Sequence, residues 1–435
     1  MAHATMPLPT TDLRVDEIEL GNPDTHLRDD IDGIFRLLRD QRPIGFDREF
    51  PAAGLDPGPG FWSLTRHRDV ARVNADWERF SNLPAVGIPT YPTRQSIISM
   101  DPPVHTKFRL IVNRGFTPRM IGRLKEQVWA HSKRIIDDAR RRAADAGDPE
   151  VDFVEEIGAK LPTLVIGTLL GVPEADQELI YRLTNAFIAP SDPEYAGTLE
   201  RMLAADRAME EYALGLGVDR RGRDGEDLTS IIVNARVTGP DGVKVQVTDQ
   251  EFAEFVKLLM IGGNETTRNA IAHGVVQFSR HPDERMKLLA DPDRVATMAA
   301  DEVVRYASPV TLMRRTATCD ADVGGVRVRQ GDKVVMWYRA ANFDETWVDD
   351  PYRFDVTRTP NDHVGFGAGG PHFCLGASLA RLEVGAMLTT IAERLPGLEV
   401  TGPPARLRTL SSNGIKHLPV RLLGTRRGPL GGGNS

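Results

Sequence analysis

Residues 249–280 restrict the fold more than any other stretch. Thr248-Asp249-Gln250-Glu251 carries the signature of a capping box, in which a threonine and a glutamate three residues on satisfy each other's free amides. The apolar pattern then runs from Phe252 to Phe278 and stops at Pro282. One helix of about 32 residues would be about 48 Å long at about 1.5 Å per residue, enough to cross a whole domain. Its midpoint reads Gly262-Gly263-Asn264-Glu265-Thr266-Thr267. A glycine inside a helix costs roughly 1 kcal/mol relative to alanine, so a pair calls for a reason. Bare backbone there predicts a groove for a flat ligand and a small molecule. Glu265 and Thr266, an acid and an alcohol beside that groove, could relay protons.

A second glycine-dense stretch is Gly365-Phe366-Gly367-Ala368-Gly369-Gly370-Pro371-His372-Phe373-Cys374-Leu375-Gly376, which leads into an apolar helical pattern over residues 377–395. Glycine permits positive φ and lets a ligand come close to the backbone. A cysteine just ahead of a helix has its thiolate favoured by free N–H groups and by the helix dipole. Cys374 is therefore predicted to be displayed as a thiolate, the ligand that favours O–O cleavage at haem iron. By itself such a cysteine reads better as a buried structural thiol.

Other patterns follow the same order along the chain. Pro102 and Pro103 suit a helix start, which puts His105 and Arg109 on one helical face. Two cationic donors on one face can grip a carboxylate. Residues 151–173 read as core helix, and residues 177–214 as helical with a break at Pro190 to Pro193. Residues 81–99, with Pro84, Pro89 and Pro92, read as irregular. Glu302 and Arg305 can pair across one helical turn. In a strand, Arg315 would face opposite to Arg314. Val326-Arg327-Val328 and Val334-Val335-Met336 flank a turn signal at Gln330-Gly331-Asp332.

The cysteine loop resembles the haem-binding loop of the cytochrome P450 family, Phe-Gly-x-Gly-x-His-x-Cys-x-Gly. His372, Cys374 and Gly376 match, and Phe366-Gly367 match in type. One extra residue makes Phe366 the eighth before the cysteine where the pattern has the seventh. A similar lengthening occurs among actinobacterial members that oxidise branched lipids and steroid side chains. Glu265-Thr266 resembles the family's acid–alcohol pair, and His105 with Arg109 its propionate-binding helix. Glu302, Arg305 and Arg353 resemble its structural Glu-Arg-Arg set. The resemblance covers about residues 30–423. It implies a mainly α fold with a smaller β-rich lobe, in a single large domain preceded by an N-terminal arm (1–29) and followed by a disordered tail (424–435). It also implies haem b (iron protoporphyrin IX), with Cys374 on the iron and His105, Arg109, Arg315 and His372 on the propionates. Residues 177–214 would form a mobile lid, and the turn of a hairpin within 410–420 would line the pocket.

The implied activity is a monooxygenase that inserts one atom of O2 into a C–H bond, with Glu265 and Thr266 catalytic. Peroxide-driven relatives generally lack this pair, and a haem sensor needs no proton relay. Val86, Ile88, Ile97, Ile98, Phe187, Ile188, Val310 and Leu312 make an apolar candidate pocket, which suits a hydrophobic substrate. The expected reaction is ω-hydroxylation of methyl-branched fatty acids or isoprenoids, with sterol side chains as the alternative. No flavin or iron–sulfur motif is visible, so a separate ferredoxin and ferredoxin reductase are expected, docking near Lys107, Arg114 and Arg119. Net charge is −7, from 61 acidic and 54 basic residues, with no basic run to suggest nucleic acid. Two cysteines and no signal or anchor segment predict a cytoplasmic protein without a membrane anchor.

Overall fold

The computed structural model describes residues 8–113, 116, 118–147, 149–238 and 244–422. The expected tail over 424–435 lies outside them. The central helix spans Asp249–Arg280, 32 residues, and is capped as its sequence predicts. Thr248 Oγ1 accepts from the Glu251 amide at 3.2 Å, and Glu251 Oε2 accepts from the Thr248 amide at 2.8 Å. Around it pack the helices Lys160–Leu170, Gln177–Ile188, Leu199–Val218, Pro292–Ala307 and Ala377–Arg394, and Pro118–Ala146 packs on the last of these. The helix Ala377–Arg394 follows the cysteine loop, so the two long helices bring the loop and the glycine pair into one core. This helix lies so close that a Cβ on Gly274 of the central helix would meet Leu388 Cδ2 at 2.8 Å.

The β-rich lobe is a five-stranded sheet in the order Ile44–Asp47, Phe61–Leu64, Lys333–Trp337, Leu312–Ala317, Phe80–Ser81. Phe61–Leu64 and Lys333–Trp337 run parallel, and the other neighbours are antiparallel. Ile18 and Leu20 are buried against this sheet beside Trp337, so the N-terminal segment is packed down where it is described. Among the described residues no helix is long and apolar enough to cross a membrane.

Two local readings change, and the strands read around Gly331 form with other partners. Residues 151–173 are not one helix: a strand Glu150–Asp152 and a π-turn Val154–Gly158 precede the helix Lys160–Leu170. The strand pairs with Pro419–Arg421, a partner no local pattern announces. The two strands flanking Gly331 do not pair with each other: Val326–Val328 pairs with Ala321–Val323, and Lys333–Trp337 pairs with Leu312–Ala317. The C-terminal hairpin pairs Ala405–Arg406 with Ile415–His417, so its turn is residues 407–414. The segment between Gln177–Ile188 and Leu199–Val218 rests on this hairpin. Asp192 accepts from the Arg408 amide at 2.9 Å and from Lys416 Nζ at 3.2 Å.

Candidate active site

The cysteine loop needs its glycines for backbone reasons. Gly367, Gly369 and Gly370 have φ of 88°, 82° and 77°, values that side chains with a Cβ rarely adopt. A Cβ on Gly370 would also lie 2.9 Å from the carbonyl oxygen of Asn74. The run closes on itself: the Cys374 amide donates to the Phe366 carbonyl at 2.9 Å. Cys374 carries accessible surface although protein surrounds it, as for a side chain opening on an internal cleft. Burial raises its thiol pKa; the Gly376 amide, Arg109 and Arg381 pull the other way. Gly376 is the N-cap of the helix Ala377–Arg394, so the cysteine sits at that helix's positive end.

Four cationic or ring donors converge on one side of this loop. His105 and Arg109 lie on the helix Val104–Asn113, and both face the loop. Arg109 Nη2 donates to the Phe373 carbonyl at 2.6 Å, and the rings of His105 and His372 lie 4.1 Å apart. Burial, with Arg109 beside it, pushes His105 down to about 4. Burial, then His105, Arg315 and Arg109, push His372 down to about 3. Arg315 is buried, and its Nη2 donates to Asn74 Oδ1 at 2.8 Å. Arg314 turns the other way, as strand alternation predicts, and donates to Thr90 Oγ1 at 2.7 Å.

On the central helix the two glycines differ. A Cβ on Gly262 would meet nothing within 4 Å, so this residue borders the open groove. A Cβ on Gly263 would meet Ile166 Cδ1 at 2.9 Å. Gly263 therefore serves close packing against the helix Lys160–Leu170, which corrects the expectation that both glycines open the groove. Thr266 Oγ1 donates to the Gly262 carbonyl at 2.9 Å. Glu265 is buried and points elsewhere: its Oε1 accepts from Ser412 Oγ at 2.6 Å and from Asn269 Nδ2 at 2.7 Å. The acid and the alcohol are thus neighbours in sequence but belong to separate hydrogen-bond systems.

Glu302 and Arg305 form a fully buried bidentate pair at 2.8 and 2.9 Å. The second arginine on Glu302 is Arg358, at 3.2 Å, and not Arg353, whose side chain pairs with Asp355 at 3.3 Å. Arg353 contributes only its carbonyl to Arg305. Of the apolar candidates, Leu312 and Ile88 are buried in the sheet core with Trp337, where they have little surface to offer a ligand. Val86, Ile97, Ile98, Phe187, Ile188 and Val310 keep partial exposure. Arg114 lies outside the described residues, as does the side chain of Arg119. Asn74 and Ser412 carry no motif. Their partners are far along the chain, 241 residues for Asn74–Arg315 and 147 for Ser412–Glu265, so no local pattern could have found them.

The arrangement fits haem. His105 Nδ1 and His372 Nε2 are buried without a hydrogen-bond partner, an arrangement that costs free energy unless a ligand satisfies it. With Arg109 and Arg315 they suit a group that brings carboxylates to this edge while a thiolate takes its metal.

A profile of the family described as Cytochrome P450 matches residues 217–396. A methyl-branched lipid omega-hydroxylase of Mycobacterium tuberculosis is 38% identical over 419 residues, 95% of this chain and 96% of that protein. A steroid C26-monooxygenase of Mycolicibacterium smegmatis is 38% identical over 405 residues, 91% of each chain. The solved Mycobacterium marinum cytochrome P450 in complex with pseudoionone aligns with a TM-score of 0.86 at 34% identity, covering 94% of this chain and 100% of its own. Likeness of that extent, over a site already able to hold haem by a thiolate, makes this chain a member of the cytochrome P450 family and an oxygen-incorporating haem monooxygenase.

Proposed function

We propose that this enzyme hydroxylates the terminal carbon of methyl-branched fatty acids or isoprenoid lipids. The carrying observation is the open backbone at Gly262, on a helix packed against the one that follows Cys374. Bound haem supplies dioxygen activation and C–H oxidation. Cys374 holds the iron through its sulfur. His105, Arg109, Arg315 and His372 bind the propionates, and the two orphaned ring nitrogens gain partners. Thr266 turns its hydroxyl from the Gly262 carbonyl toward the groove, and Glu265 swings away from Ser412 and Asn269 to deliver protons. The partly exposed Ile97, Ile98, Phe187 and Ile188 exclude water and orient an apolar chain.

The relatives' names support a lipid, and the pseudoionone complex supports a branched isoprenoid shape. Sterol side-chain hydroxylation is the second reading, favoured by the steroid C26-monooxygenase match. We further propose electron supply by a separate ferredoxin and its reductase in the cytoplasm. Lys107 and Leu110 share the outer face of their helix near the exposed Phe373, a mixed basic and apolar surface suited to an acidic carrier.

The test is a haem spectral titration with iso-palmitic acid, palmitic acid and cholesterol, followed by product analysis under reductase-driven turnover. Iso-palmitic acid should give the tightest shift and a terminal alcohol. Shifts with small polar compounds alone would remove the lipid reading, and side-chain hydroxylated cholesterol as the main product would promote the second.

A further inference from the structure

The way Glu265 is held has a consequence beyond the acid–alcohol pair. Two donors to this carboxyl land on one oxygen: Ser412 Oγ at 2.6 Å and Asn269 Nδ2 at 2.7 Å. All three residues are buried. The amide of Asn269 is itself braced, since its Oδ1 accepts from the Ile415 amide at 3.3 Å. An amide cannot pass a proton on; a hydroxyl can, because it donates on one side and accepts on the other.

Ser412 sits in the turn of the C-terminal hairpin and also lines a small cavity on that turn. The cavity has about 10 Å³ open to a water-sized sphere, roughly what one water needs. Its other polar walls include Thr311, Thr409, Arg339 and Arg406, enough partners for one bound water. Arg406 reaches outward to the fully exposed Asp29 at 3.5 Å, and Arg339 pairs with Asp32 at 2.8 Å. Polar and charged residues therefore lie between the surface beside the N-terminal segment and the cavity that Ser412 borders.

We propose that Ser412 is the positioning and proton-passing residue for Glu265, fed by a water in this cavity. This rests on the monooxygenase reading, whose reaction consumes protons. In the step, a proton moves from the cavity water to Ser412 Oγ while the hydroxyl's own hydrogen moves to Glu265 Oε1. Rotation of the hydroxyl then restores the starting state. No electrons move, and solvent replaces the proton. The same contact ties proton supply to the turn of the hairpin.

The experiment compares wild-type holoenzyme with Ser412→Ala and Ser412→Thr. The first readout needs no turnover: the infrared carboxyl bands, assigned to Glu265 by their loss in Glu265→Gln. Ser412→Ala should shift them and Ser412→Thr should restore them. The second readout is turnover of iso-palmitic acid with ferredoxin, reductase and NADPH. In Ser412→Ala product per electron consumed should fall by about tenfold, less than the hundredfold typical of losing a placed proton donor, because Asn269 still holds the acid. The solvent deuterium isotope effect should rise, and Ser412→Thr should recover both. Unchanged bands and unchanged coupling in Ser412→Ala would overturn the proposal, as would Ser412→Thr failing as alanine does. If wild-type enzyme makes no alcohol from dioxygen, the monooxygenase reading falls, while the infrared comparison still decides the role of Ser412.

Discussion

The two glycine-rich stretches use glycine for different reasons. In the cysteine loop the requirement lies in the backbone: Gly367, Gly369 and Gly370 sit at positive φ. In the central helix the backbone is ordinary, and the requirement lies in what surrounds it. Gly263 is needed because Ile166 fills the space a Cβ would take, and Gly262 because that space is open. The holding of the chemistry differs in the same sense. Cys374 is set by contacts within its own loop, including its amide to Phe366. Glu265 is set by Ser412 from the C-terminal hairpin. A local turn can place a sulfur, although burial raises its thiol pKa; the acid inside the long helix is held by Asn269 one turn on and by a partner from elsewhere.

The strongest challenge to this contrast is Gly370→Ala. A left-handed φ costs about 1–2 kcal/mol for a side chain with a Cβ. The contact with the Asn74 carbonyl oxygen adds a backbone clash that no rotamer relieves. A loss of about 3 kcal/mol is expected, read by urea denaturation, together with faster haem loss.

Next in size is acid, which acts on both regions, through His105 and His372 at the loop and through His273 on the helix side. His273 lies on the central helix and bonds the Asn413 carbonyl at 2.9 Å; burial pushes it down to about 4 despite that bond. The unfolded chain, at about 6.5, takes up the proton first as pH falls. The stability this histidine contributes is therefore complete above about pH 6.5 and is lost as pH falls toward about 4. About 2 kcal/mol should disappear between about pH 7 and about pH 4.5, discounted because the ring keeps some contact with water. His273→Gln should remove that share of the slope in urea midpoints taken across the range.

Gly263→Ala comes third. Its Cβ would press on the end of the flexible Ile166 side chain, which costs about 1–3 kcal/mol, and the better helix propensity returns roughly 1. A net loss of about 1 kcal/mol in the denaturation midpoint is expected, and Ile166→Val should relieve it. Smallest is Gly262→Ala, which should leave stability unchanged or raise it by up to about 1 kcal/mol. It should instead weaken the spectral response to ligands. Equal destabilisation by the two alanines would erase the distinction drawn between these neighbours.

Much of this was legible in the chain. The capping box and apolar run gave the central helix its bounds at Asp249 and Arg280. The spacing of His105 and Arg109 put both on the face toward the loop, and strand alternation separated Arg314 from Arg315. Each of these follows from the geometry of one element, so a few neighbouring residues suffice to fix it. The readings that failed depend on another element. Residues 150–152 became a strand because Pro419–Arg421 lies beside them. Arg358 displaced Arg353 on Glu302 because the fold of the intervening loop chose between two nearby arginines.

The sequence by itself therefore determined the reactive groups: a thiol ahead of a helix, an imidazole and a guanidinium one turn apart, an acid beside an alcohol. Those follow from covalent order and helical period. Only the tertiary structure decided their partners, sending Glu265 to Ser412 and Arg315 to Asn74. A buried hydrogen bond depends on which surfaces the packed core brings together, and that is a property of the whole chain at once.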